Sequence, residues 1–211
     1  MQSMKKPDLT SSAFSDMIKN KYDHSFRVMK RAEEIAISLN LNEEDIHVAS
    51  LAGLLHDIGR FNQVKYYNTF EDKKSFDHGD EGYRVLETEI KKYTDNEKTA
   101  SIVLLTTKYH NKYKIEETDE KTKMFCNIVR DADKLDIMME QAYQINDGIY
   151  DLKKDILDCI YNHELVKNKY VENDIDHVCR VISFIFDINY KYSLNIVKNI
   201  IINKKFELLE A

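Results

Sequence analysis

LAGLLHDIGRF, residues 51–61, is apolar from Leu51 to Leu55, interrupted by one glycine, and then sets His56 beside Asp57 just before Gly59. An ionised carboxylate at the end of a buried apolar segment is costly unless something of opposite charge meets it. A protein cation, a helix N-terminus and a bound metal are the three candidates. Everything else in the chain is read around that carboxylate.

Working outward, the stretch before it predicts a helix from about Asn42, with Glu44 and Asp45 in the first turn where the helix dipole favours acids. It carries Val48 to Leu55 inward and stops near Gly59. Upstream, Phe26, Met29, Ala32, Ile35, Ala36 and Leu39 recur at helical spacing, which predicts a helix over about 12–39. Downstream, RFNQVKYYNTFEDKKSFD (60–77) shows no clean period and reads as a long aromatic and charged loop. Loops of that length in a compact domain are more often functional than idle. Helices are expected over about 79–93, from just after Asp95 to about 109, and over 120–144. The last carries Phe125, Ile128, Val129, Ala132, Leu135, Met139 and Ala142 inward, and a polar loop at 111–119 precedes it. The stretch 151–209 reads as one medium helix and one long or broken helix around VISFIFDINYKYSLNIVKNII.

The composition agrees with a helical reading. One proline and five glycines in 211 residues are too few for a turn-rich fold. Hydrophobic residues make up 43% and charged residues 32%, as in a soluble globular domain. The expectation is an all-α, single compact domain of about seven or more helices over 1–211. No apolar stretch approaches the roughly 20 residues of a membrane span, and the N-terminus lacks the apolar core of a signal peptide. Cys126, Cys159 and Cys179 form no CxxC pair and read as reduced core thiols of a cytoplasmic protein. A net charge of −6 argues against an extended nucleic-acid surface and leaves room for a local basic pocket that takes one phosphate group.

Four polar residues sit where apolar ones would be easier to bury: His24, His56, Asp57 and Asp133, the last in IVRDADKLDIM. Imidazole and carboxylate suit borderline divalent metals. Two histidines and two aspartates from three helices would close most of a tetrahedral or octahedral shell, and a metal there answers the question that Asp57 raises.

A lone histidine, an adjacent His-Asp at the end of an apolar helix and a distant helical aspartate resemble the pattern of the HD-domain metal-dependent phosphohydrolases. The matching stretches are HSFRVMKRAEEIA, LAGLLHDIGRF and IVRDADKLD, and FDHGDEGYRVL resembles a histidine-glycine segment that many members carry between them. The resemblance spans a motif core of about 20–145, with 146–211 as C-terminal helices that cover the site or make a homodimer face. It implies an HD-type fold with His24, His56, Asp57 and Asp133 as metal ligands. Asp133 is taken over Asp131 and Asp136 because Lys134 and Leu135 follow it as in the family. His78 and His110 fall where members with two metals have further ligands. Several of those members have a paired histidine where this chain has Tyr109-His110, so one ion or two stays open, with phosphate contact or general acid as the other roles for His78 and His110. The ion would be Mn, Fe, Ni, Co, Zn or Mg. Lys134 and Arg60 are the candidates for phosphate binding. The implied activity is hydrolysis of a nucleotide or another small phosphorylated metabolite by a metal-activated water. A guanosine tetraphosphate-type alarmone hydrolase and a non-catalytic metal- and nucleotide-binding regulatory module are the alternatives.

Overall fold

His24, not Phe26, opens the buried stripe of the first helix. Along α1 (Ser12–Ser38), His24, Val28, Ala32, Ile35 and Ala36 are buried at helical spacing. Phe26, expected inside, is 41% exposed and instead pairs with the ring of Tyr22 at 4.7 Å on the outer side. The computed structural model describes residues 12–116, 118–141 and 152–210. All regular structure among them is helical, as expected. No helix among the described residues is long and apolar enough to cross a membrane.

The chain divides into two compact units, 1–130 and 131–211. In the first, α2 (Glu43–Leu55) packs along α1. Asn42 caps it, its side chain accepting from the Asp45 amide at 2.9 Å. This helix buries Val48, Ala49, Leu51, Ala52, Gly53 and Leu55, so it is apolar around most of its circumference, as a central helix must be. It meets α5 (Glu97–Tyr109), and α5 packs on α4 (His78–Glu89). Leu51, Ala52, Leu55, Leu86, Ile90, Val103 and Val129 form the shared core, Val129 coming from α6 (Glu120–Gln141).

The helix of the HD segment does not run on to Gly59. It ends at Leu55, Asp57 adopts φ −101° and ψ 16°, and a separate helix, α3 (Ile58–Tyr67), begins at once. That backbone region is sparsely populated, and it takes the Asp57 side chain off the surface of both helices. The expected 60–77 loop is therefore helical over its first half. Its inward face carries the fully buried Gln63 beside Val64, with Arg60 close by, so the apolar period that would announce a helix is missing. Asn68 ends α3 in the left-handed conformation, with its amide donating to the Val64 carbonyl at 3.0 Å. Residues 68–77 then form a connection with one 3₁₀ turn at Asp72–Lys74.

Asp77 starts α4. Its carboxylate accepts from the amides of Gly79 at 2.9 Å and Asp80 at 3.1 Å, from Asn111 Nδ2 at 3.0 Å and from the Lys112 ammonium at 2.7 Å. Burial opposes ionisation, but Lys112, Asn111 and the amides outweigh it and hold the carboxyl well below the usual range. A depressed carboxylate stabilises the fold above its unfolded pKa of about 3.9, and that contribution is lost as pH falls through the folded value. Asp77→Ala is thus expected to cost about 1 kcal/mol at pH 7, the worth of an N-cap. The gap from wild type should narrow below about pH 4, as read by urea unfolding at several pH values.

In the second unit, α7 (Lys154–Tyr161) packs on α8 (Asp174–Ser183) around Ile156, Cys159, Val166 and Cys179. The apolar stretch expected to be one long or broken helix is broken. A 3₁₀ turn covers Phe184–Asp187, and α9 (Lys191–Glu210) follows. Asp131 marks the break: it accepts from the Asn189 amide at 2.9 Å, Asn189 Nδ2 at 2.8 Å and the Tyr190 amide at 3.0 Å. On α6, Met138 is buried and the expected Met139 is 39% exposed. The expected end of this helix at 144, with Ala142, lies outside the described residues. All three cysteines are free and buried.

Candidate metal centre

Four imidazoles converge on Asp57, which is itself 3% exposed. His24 comes from the middle of α1 and His56 from the end of α2. His78 is the first residue of α4, and His110 directly follows α5. The two carboxylate oxygens divide these rings between them. Oδ2 lies 3.6 Å from His24 Nε2 and 3.7 Å from His56 Nε2. Oδ1 lies 3.4 Å from both His78 Nε2 and His110 Nε2. Two groups with the spacing of metal ligands result, His24–His56–Asp57 and Asp57–His78–His110, sharing the aspartate.

The other ring nitrogens have partners that assign the tautomers. His56 Nδ1 donates to the Gly53 carbonyl at 2.7 Å, and His110 Nδ1 donates to the Thr107 carbonyl at 2.7 Å. His78 Nδ1 donates to Asp72, with both oxygens at 2.9 Å. With the proton on Nδ1, each Nε2 presents a lone pair toward Asp57. His78 Nε2 and His110 Nε2 stand only 3.0 Å apart, so two lone pairs and a carboxylate oxygen face one another. A cation satisfies all three. Donor atoms 3.0–3.7 Å apart are also the spacing of neighbours around one ion at metal–donor distances of about 2.0–2.2 Å. The residues fit a divalent metal.

The charges agree. Burial, together with the neighbouring His78 and His56, lowers His110 to about 4 against the pull of Asp57, so its ring is neutral at pH 7, as a ligand must be. Burial by itself would raise the Asp57 pKa. The Lys21 ammonium, the largest opposing influence, and the Arg60 guanidinium act against it, and the carboxyl stays well below its usual range.

Lys21 is one site residue that the sequence reading missed. Its Nζ meets Asp57 Oδ2 at 2.7 Å and lies 5.4 Å from the centre of the Phe70 ring. The signal was present in KYDHS, because Lys21 precedes His24 by three residues and so shares its helix face. Asp72 was missed too, and no sequence period leads to it. Arg60, expected to bind phosphate, spends its guanidinium on Gln63 at 2.9 Å, on Asp72 at 3.0 Å and on the Phe70 carbonyl, with Nε 3.5 Å from Asp57 Oδ1. Its main work is to anchor the 68–77 connection. Of the aromatic residues there, Tyr67 packs edge-on against Phe76, while Tyr66 is 56% exposed.

The structure thus brings together His24, His56, Asp57, His78 and His110. Asp133 and Lys134 lie on α6 in the second unit. Asp133 is half-buried, and Lys134 is buried with its ammonium 2.7 Å from Asp187.

A model of the HD domain family matches residues 22–138, a span that holds every histidine and aspartate named above as a candidate ligand. Comparisons with curated proteins and with solved structures find no match.

Proposed function

This chain belongs to the HD domain family of the metal-dependent phosphohydrolase superfamily, and from that premise we propose that it hydrolyses a nucleotide or another small phosphorylated metabolite at a two-cation centre. The observation that carries the proposal is the division of Asp57, each of whose oxygens faces its own pair of imidazole nitrogens.

His24, His56 and Asp57 would hold one ion, and Asp57, His78 and His110 the other. Asp133 remains a proposed further ligand. The imidazole-rich donor set favours Mn, Fe, Co, Ni or Zn over Mg. A bound divalent ion supplies a hydroxide at neutral pH, by lowering the pKa of its water from 15.7 toward about 7, and charge for a phosphoryl oxygen. The chain's own part is positional. The Nδ1 bonds of His56, His78 and His110 lock the rings so that no reorientation is needed at the moment of reaction. Lys21 replaces Lys134 and Arg60 as the first candidate to clamp a phosphate oxygen, because its ammonium already reaches the edge of the cluster and keeps 20% of its side chain exposed. With both rings engaged as ligands, neither His78 nor His110 is left to protonate the leaving oxygen.

The test is turnover by purified protein, stripped of metal and reloaded with each of these ions. The panel would comprise nucleoside mono-, di- and triphosphates, cyclic nucleotides, guanosine tetraphosphate and simple phosphate monoesters. Ion-dependent release of phosphate or a shortened nucleotide is expected. No product with any ion, combined with a nucleotide-dependent rise in melting temperature, would instead identify a binding module.

A further inference from the structure

The Nδ1 anchors of His56, His78 and His110 are not all of one kind. His56 and His110 follow the last turns of α2 and α5, and each donates to the carbonyl three residues earlier in its own helix. Those anchors are built into the helices. His78 is the first residue of α4, with no helical turn before it to offer a carbonyl. Its anchor is the Asp72 carboxylate, which belongs to the 68–77 connection.

Asp72 is in turn held from below. Gln63, fully buried on α3, shares the two N–H groups of Nε2 among Asp72 Oδ1 at 2.8 Å, Ser75 Oγ at 2.9 Å and the Phe76 carbonyl at 2.8 Å. Its Oε1 accepts from Arg60, which also bonds Asp72 Oδ1 at 3.0 Å. A buried amide with this many partners enforces one arrangement of the segment, because any other would leave polar groups unpaired.

We propose that Asp72 is a positioning residue that makes the Asp57–His78–His110 cation group dependent on the 68–77 connection, whereas His56, in the other group, is anchored within its own helix. Occupancy of the two groups is then separable, and the Arg60–Gln63–Asp72 bonds set the affinity of one of them. This rests on the two-cation reading above.

Titration of the metal-free chain with Mn²⁺ or Co²⁺ by calorimetry tests it, with ion content checked by elemental analysis. Wild type is expected to bind two ions. Asp72→Ala should weaken one of them by about 10–100-fold, the usual cost of losing the carboxylate behind a ligand histidine, and leave the other within twofold. Asp72→Asn, which keeps the volume and one acceptor oxygen, should fall between them. The second readout is the His78 tautomer in the metal-free chain, from imidazole ¹⁵N shifts: Nδ1–H in wild type and a mixture in Asp72→Ala. Equal weakening of both ions, or unchanged binding with an unchanged tautomer, overturns the proposal. A wild-type chain that binds one ion removes the two-cation reading alone, and the tautomer then decides the role of Asp72.

Discussion

Asp57→Asn is expected to abolish ion binding at both groups together, with affinity falling by more than about 100-fold and metal-dependent turnover by at least about 10³-fold. The reason is geometric. Asp57 is the one residue the two ligand groups share, so its loss is not confined to either. Asparagine keeps the shape but brings no charge and only one oxygen. The four imidazoles then face each other without the anion that draws a cation among them. The metal-free fold should tolerate the change, because Lys21, with 20% of its side chain exposed, can turn to solvent when its partner is gone. A ligand that binds the folded state at 100 times its Kd adds about 2.7 kcal/mol. The sharpest readout is therefore the melting temperature with and without Mn²⁺: wild type should rise on adding the ion and Asp57→Asn should not. A variant that still takes up stoichiometric metal would refute the shared carboxylate.

Gly59→Ala should be the most damaging single methyl in the first unit. A Cβ there would lie 2.2 Å from the His78 carbonyl oxygen, 2.7 Å from the Gly82 nitrogen and 3.2 Å from the Gly82 Cα. All three are backbone atoms, so no side chain can turn aside and α3 must move away from α4. Overpacking of that kind costs about 3 kcal/mol or more, equivalent to a fall of roughly 6–12 °C in melting temperature for a chain of this size. The displaced helix begins with His78, so the second ion should be lost along with stability. Gly53→Ala is the control. Its Cβ would meet Ala32 Cβ at 3.0 Å and the α1 backbone at 3.1 Å, a milder crowding far from His78 in sequence. If the two variants lose equal stability and Gly59→Ala keeps both ions, the close approach of α3 to α4 is not what sets the site.

The helices were legible wherever one face is apolar and the opposite face polar. α1 and α6 declare themselves by period, and Asn42 stands where a cap belongs. α3 did not, because its inner face is filled by Gln63 and Arg60, which serve a loop and not a core. Phe26 and Met139 misled for the opposite reason: each is apolar, lies near the stripe and belongs to the outside. Among the site residues, His24, His56 and Asp57 could be named because a buried polar group at a core position demands an explanation that sequence alone can pose. Lys21 shares the helix face of His24 and was readable in principle. Asp72 was not, since it lies six positions before His78 in a stretch without a period, and only the folded connection turns one toward the other.

The sequence by itself determined that this chain is helical and that a carboxylate at position 57 must meet positive charge, because period and burial are properties of local pattern. Only the tertiary structure decided that Asp57 faces two pairs of imidazoles and not one, that Lys21 reaches it, and that His78 Nδ1 meets Asp72. Those are distances between segments far apart in the chain, the α3–α4 approach at Gly59 among them, and no spacing along the chain encodes them.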